Sequence, residues 1–264
     1  MSRVKSIILR MLPSGLLLEL KKLHYVSALR RFSEEDESDI KIVKIIVKSG
    51  DHVIDIGANI GWYAKTLSGL VGNQGRVYSI EPIPTTFRLL SLCVKKLMLS
   101  NVILINCGIS EKNGSAIMEV PSYGSGGENY YQARIVTEKS VKSRLKGYQV
   151  DLKSLDSLFA DSRHRIHFIK CDVEGHEFRV IMGAKKILTD SKPAWLIEVS
   201  GDPDDQNSDA FKLFSVLEKE RYTAWWFDGV QLKKRSRGDK SINYFFLIDD
   251  HLLDLKIRGV CIVK

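Results

Sequence analysis

Four short, largely apolar runs in this chain end in a carboxylate: those reaching Asp55, Glu81, Asp172 and Glu198. The first of them carries the most information. Asp51-His-Val-Ile-Asp55-Ile-Gly57-Ala-Asn59-Ile-Gly61-Trp62 reads as a buried strand, a tight turn and a helix start, with two glycines four apart. Glycine serves where backbone must approach a ligand closely or take a positive φ. Open α/β sheets bind their ligands at the carboxyl ends of the strands, where Asp55 would sit. Glu81 follows Asp55 by 26 residues, near the roughly 20-residue spacing between a glycine loop and a ribose-binding acid. A carboxylate there accepts hydrogen bonds from two vicinal hydroxyls. Pyrophosphate cofactors favour the closer pattern G-x-G-x-x-G, which this turn lacks. An acid at the turn suits a cofactor with an ammonium and a sulfonium instead, so Asp55, Gly57, Gly61 and Glu81 fit S-adenosylmethionine better than NAD.

The third run, Ile166-His-Phe-Ile-Lys170-Cys171-Asp172-Val-Glu174-Gly175-His176-Glu177, delivers five polar groups to the same edge. Glu174 and Glu177 also suit the positive end of the helix that follows. Asp172 does not share that role, since it stands at the strand tip beside the cofactor. Cys107 and Gly108 follow the third predicted strand, where they are either an adenine wall or small residues in tight packing. Pro121–Tyr131 is glycine-rich and aromatic. It reads as a substrate lid or as a disordered insertion, and Glu128 and Asn129 could orient a hydroxylated ligand there.

The elements that would position these groups alternate strand and helix. The pattern predicts helices over Ile40–Val47, Trp62–Leu70, Phe87–Leu99, Leu155–Phe159 with Asp156 as cap, from Glu177 to about Leu188, and Asp209–Glu220 with Ser208 as N-cap. Further strands are expected at Val102–Asn106, Ser115–Val120, Tyr148–Leu152, Tyr222–Phe227 and Asn243–Ile248, the last two joined through a basic loop, Lys233–Gly238. No internal repeat is evident.

At 264 residues and 44% hydrophobic, the chain can bury one full core, with an N-terminal arm over 1–45 and one main domain over 46–264. Cys93, Cys107, Cys171 and Cys261 form no Cys-x-x-Cys pair, which favours reduced thiols over metal or redox roles. Residues 1–32 hold seven basic residues against Glu19 alone, so +6 of the formal +8 lies in the arm. Pro13-Ser14-Gly15 divides the arm into two helical pieces, and Leu16, Leu20 and Leu23 share one face. Such an arm either rests on anionic lipid or packs on its own domain or on a second copy of the chain; the packed arm is the favoured reading. No run reaches membrane-spanning length and no cleavable leader is apparent, so a cytoplasmic protein is expected.

These residues together resemble the FkbM family of methyltransferases. Asp55-Ile-Gly-Ala-Asn59-Ile-Gly61 and Glu81-Pro82 are similar to its cofactor motifs, Lys170-Cys-Asp172-Val-Glu174-Gly175-His-Glu177 to its Asp-Val-Glu-Gly signature, and Leu196-Ile-Glu198 to its late acidic strand end. The likeness spans roughly residues 50–250 and adds Asn59 and Pro82 to the cofactor set. It implies a Rossmann-like sheet of seven strands with helices on both faces, the last strand antiparallel. It also implies methylation of a hydroxyl, on a small molecule or on a sugar of a surface polysaccharide. An alcohol needs a base within hydrogen-bond reach. Asp172 is the first candidate, His176 the second for its near-neutral pKa, and Glu174 completes the catalytic set. Glu198 joins Glu128 and Asn129 on the acceptor side.

Asp172 and Glu198 would lie on adjacent strand tips, but two oxygen ligands are too few for a metal site, so none is expected. The Lys233–Arg237 run is a solvated loop or an attraction for a phosphate-bearing acceptor. Two rival functions remain. An RNA methyltransferase would use the basic charge with Trp225 and Trp226, although those tryptophans fall in a predicted strand and no nucleic-acid partner is expected. A fold-only binding module would not need four intact acids.

Overall fold

The computed structural model describes residues 14–121, 134–136 and 146–263. Helix α1 (Ser14–Arg31) and α2 (Ile40–Ile46) precede β1 (His52–Ile56), after which come α3 (Trp62–Val71), β2 (Arg76–Ile80), α4 (Pro84–Lys96) and β3 (Val102–Ile105). A small group follows: β4 (Gly108–Ile109), β5 (Gly114–Val120), β6 (Arg134–Val136), β7 (Lys146–Lys153) and α5 (Leu155–Leu158). The chain then continues through β8 (Ile166–Cys171), α6 (Glu177–Met182), a π-helical turn (Ile187–Ser191), β9 (Ala194–Glu198) and α7 (Asp209–Lys219). It finishes with β10 (Thr223–Phe227), β11 (Leu232–Lys234), β12 (Asn243–Leu247), α8 (Asp249–Ile257) and β13 (Ile262–Val263).

The main sheet runs β13-β11-β10-β12-β9-β8-β1-β2-β3. β1 lies parallel between β2 and β8, and β12 is antiparallel to both β9 and β10. Chain order reverses at β1, with β2 and β3 on one side and β8 and β9 on the other, so a ligand crevice opens between the ends of β1 and β8. Side chains alternate across the sheet. Ile54, Ile56, Ile169, Trp195 and Ile197 enter the core shared with α6 and α7. Val53, Phe168, Ala194 and Leu196 enter the opposite core, with α2, α3 and α8. Apolar burial on both faces explains why these strands read as near-continuous hydrophobic runs.

Seven of the nine strands are those expected, in the expected order, and β12 is the antiparallel one. β11 and β13 extend the sheet beyond it, because Leu232–Lys234 leaves the predicted basic loop to pair antiparallel with β10. A second sheet, β4-β7-β5-β6, stands apart, with β5 and β7 paired from Gly114↔Leu152 to Val120↔Lys146. Of the possible lid insertion at 121–147, the described residues are Pro121, β6 and the start of β7. Its Glu128 and Asn129 lie outside the described residues.

Several helix boundaries also differ. α4 begins at Pro84, where proline's fixed φ suits a first turn. α6 stops at Met182 rather than Leu188, since Gly183 passes so close to Ser110 that a Cβ would lie 2.0 Å from its carbonyl oxygen. Ser154, not Asp156, caps α5, its hydroxyl accepting from Ser157 N–H at 3.2 Å. Asp156 instead accepts from the backbone N–H groups of Lys186 and Ile187. Ser208 caps α7 as expected, accepting from Phe211 N–H at 2.9 Å.

α1 is one continuous helix from Ser14. Val26 and Leu29 are buried against Cys93 of α4, with Trp62 beside them, while Leu23 is 65% exposed. Lys65 holds the end of the helix by donating to Phe32 O at 2.8 Å. No helix among the described residues is long and apolar enough to cross a membrane.

Candidate functional site

The turn after β1 is threaded tightly. Gly57 has φ +77°, and a Cβ built on it would lie 1.8 Å from Asp172 O. The turn is tied to β2, with Gly57 and Ala58 N–H both donating to Ile80 O at 3.0 Å. Asp172 N–H donates to Ile56 O at 3.1 Å, so the tips of β1 and β8 form one joined ledge. Asn59 takes the left-handed conformation, φ +50°, and Gly61 follows at +104° before α3.

Two cavities meet at this ledge. The smaller, about 230 Å³, runs beneath the second sheet and is lined by Gly57, Asn59, Glu81 and Pro82, with an apolar wall that includes Cys107, Gly108 and Met118. Glu81 is 5% exposed. Its two oxygens accept from Asn59 N–H (3.1 Å) and Ile83 N–H (2.9 Å), fixing the loops on either side. Burial nevertheless raises its carboxyl to about 7, against the lowering effect of those bonds. Gly108 leaves room that a Cβ would fill, 2.8 Å from Leu152 Cδ2. An acid beside an apolar slot, with no lysine or arginine among the described lining residues, fits an adenosyl group and does not fit a pyrophosphate.

The larger cavity, about 660 Å³, lies on the other side of the ledge. Asp172, Glu198, Gly57 and Asn59 line both cavities. Asp55 lines only the larger one. The sequence reading set Asp55 against the cofactor, and the strand pleat sets the face of the sheet it takes. Asp55 shares a sheet face with Val53, as Lys170 does with Phe168 and Glu198 with Leu196, and that face looks toward α2 and α3. Asp55 is 1% exposed and its Oδ2 has no hydrogen-bond partner. Burial raises its carboxyl to about 6 despite the nearby Lys170 ammonium.

Lys170, 8% exposed, donates to Asp172 Oδ2 at 2.7 Å. Burial alone would lower its pKa, but Asp172, Asp55 and Glu198 together outweigh that and raise it, so it remains an ammonium. The lysine thus supplies the positive charge among these acids. Among the described residues, no group of three or more His, Cys, Asp or Glu is arranged to hold a metal ion.

Glu174 lines the smaller cavity in a left-handed conformation, φ +50°. Partial burial and then Asp172 and Glu198 push its carboxyl to about 7. His176 also lines that cavity, with its Nε2 3.0 Å from Ser110 Oγ. Burial and Arg179 lower its pKa, so the ring is neutral near pH 7. Glu177 is turned into the helix start, accepting from Gly175 N–H at 2.8 Å and from the Ser200 hydroxyl. Glu198 is opposite Asn243 in the β9–β12 register, and burial followed by Asp172 raises its pKa.

Sequence reasoning missed the far wall of the larger cavity: Arg31, Phe32, Asp36, Glu37, Trp62 and Tyr63. Only Trp62 and Tyr63 carried a signal, since they follow Gly61 directly. Within the basic run, Lys233 pairs with Asp228 at 2.7 Å and Arg235 with Asp204. Trp225 is buried and donates to Thr223 Oγ1, and Trp226 is half-buried, with Nε1 donating to Asp239 and the Lys233 ammonium 5.1 Å from its ring centroid.

A family model described as the Methyltransferase FkbM domain matches residues 55–224. A protein of Saccharolobus solfataricus named "Probable cobalt-precorrin-6B C(15)-methyltransferase (decarboxylating)" is 35% identical over 74 residues, 28% of this chain and 37% of that protein. A protein-L-isoaspartate O-methyltransferase of Methanococcus aeolicus is 38% identical over 76 residues, 27% of this chain and 35% of that protein. The chain thus spans little more than a third of the length of the curated relatives it matches. A solved structure of a methyltransferase FkbM from Methylobacillus flagellatus KT is similar at 18% identity and a TM-score of 0.49, over 75% of this chain and 44% of that one.

Proposed function

The chain belongs to the FkbM methyltransferase family and carries its S-adenosylmethionine-dependent methyltransferase domain; on that premise we propose that it is an O-methyltransferase acting on a hydroxyl of a small molecule or glycan. A sugar of a surface polysaccharide is the acceptor expected. When bound, S-adenosylmethionine supplies an electrophilic methyl carried on a sulfonium. Glu81 would accept the ribose hydroxyls, and the wall of Cys107, Gly108 and Met118 would hold the adenine.

The observation that carries this reading is that Asp172 lines both cavities. It stands where a donor on one side and an acceptor on the other would meet. The Lys170 ammonium holds one carboxylate oxygen, leaving the other to accept the hydrogen bond of the acceptor hydroxyl. Asp172 would take up that proton as the hydroxyl is methylated. Orientation across the ledge adds to the acceleration. His176, occupied by Ser110, serves the cofactor wall instead.

Labelled-methyl transfer to a panel of hydroxylated glycans tests the reading. In Asp172→Asn, S-adenosylmethionine binding should persist while turnover falls by about 10²–10⁴-fold, the usual worth of a positioned base. Turnover that survives the change removes Asp172 as the base.

A further inference from the structure

We propose that the larger cavity is the acceptor site and that it selects an uncharged, polyhydroxylated ring, with the end of α1 and the segment leading to α2 as its specificity wall. This assignment rests on the methyl-transfer reading above and names where the acceptor binds and what it must be.

Four observations converge on it. At about 660 Å³ the cavity falls within the range of small-molecule sites, and it shares Asp172 with the donor side. Asp55 Oδ2, fully buried in the lining, has no partner and so offers an acceptor for a hydroxyl donor. Phe32 and Trp62, packed at 4.9 Å and 52°, both line the cavity, and aromatic faces of this kind receive the C–H face of a sugar ring. Charge then sets the class. Among the described residues, Asp36, Glu37, Asp55, Asp172 and Glu198 face Arg31 and Lys170, and Lys170 is already committed to Asp172. A phosphate or carboxylate on the reacting ring would meet like charge and be excluded. A neutral ring brings hydroxyl donors that five carboxylates can accept.

Glu37 fixes the wall in place. Tyr63 of α3 hydrogen-bonds to it, and Asn243 Nδ2 lies 3.5 Å from its Oε1, beside Glu198. Selectivity therefore depends on residues ahead of the matched family segment, in the part of the chain that carries none of the cofactor motifs.

The test uses the full chain saturated with S-adenosylhomocysteine. Saturation-transfer NMR is run with methyl glycosides of glucose, galactose, mannose and rhamnose, and in parallel with glucuronate and glucose 1-phosphate. At least one neutral glycoside should bind and neither charged sugar should. Glu37→Gln should weaken the neutral ligand about tenfold, with S-adenosylhomocysteine affinity unchanged by calorimetry. Binding of a charged sugar as tight as the neutral one, indifference to Glu37→Gln, or no glycoside signal from a chain that binds S-adenosylhomocysteine would each overturn the acceptor assignment alone. Failure to bind S-adenosylhomocysteine would remove the methyl-transfer reading and this assignment with it.

Discussion

Gly57→Ala is the most demanding test of the ledge that joins the two cavities. The new Cβ would sit 1.8 Å from Asp172 O, whereas carbon and carbonyl oxygen normally approach no closer than about 3.3 Å. The tips of β1 and β8 must therefore part by roughly 1.5 Å. Overpacking of this kind costs about 1–3 kcal/mol, and the left-handed backbone adds roughly 1–2 kcal/mol once a side chain is present. The sum, on the order of 2–5 kcal/mol, is a large share of the 5–15 kcal/mol typical of a domain. Gly175→Ala is the matched control. Its φ is +93° and nothing lies within 4 Å of the added Cβ, so only the backbone cost applies. Urea denaturation should place Gly57→Ala well below Gly175→Ala. Methyl transfer by Gly57→Ala should fall at least about a hundredfold, as expected when reacting groups are misplaced by an ångström. If the two variants are equally stable and equally active, the close approach of β1 and β8 is not what shapes the site.

Two further predictions concern stability. Asp39, buried before α2, has its carboxyl raised from 3.8 to about 7, by burial first and then by Glu37. Because the folded-state value lies above the unfolded one, its contribution to stability is complete below pH 3.8 and is lost as pH rises through about 7, a span worth at most roughly 4 kcal/mol. The advantage of Asp39→Asn over the parent should grow between pH 5 and pH 8, and a pH-independent difference would contradict the burial argument. Asp156→Ala should cost about 0.5–2 kcal/mol, the scale of a lost helix cap, since two backbone N–H groups lose their acceptor; an unchanged denaturation midpoint would refute that role.

The order of the sheet was readable because its central strands are apolar on both faces and each ends in an acid or a glycine turn. The side of the sheet on which each acid would fall could have been read too. Asp55 stands two residues after Val53, and Lys170 two after Phe168, so the pleat alone sends both toward α2 and α3. β11 eluded the pattern because Leu232-Lys233-Lys234 is short and charged, and its pairing is settled by the neighbouring β10 rather than by its own residues. The β5–β7 hairpin depends on a register spanning more than thirty residues of chain, which no local signal carries. The far wall of the larger cavity was invisible for a related reason. Phe32 and Glu37 reach Trp62, Tyr63 and Asn243 only through tertiary packing.

The two margins of the main sheet have a consequence for how the chain behaves in a crowded solution. One margin closes with β13, a two-residue stub paired to β11 at Leu232↔Ile262 and Lys233↔Val263, and the other with the four residues of β3. At four residues, the β3 margin does not present a long, flat row of unmet amide groups on which a neighbour's strand could grow. On that side the sheet gives a fibre little length of strand to extend.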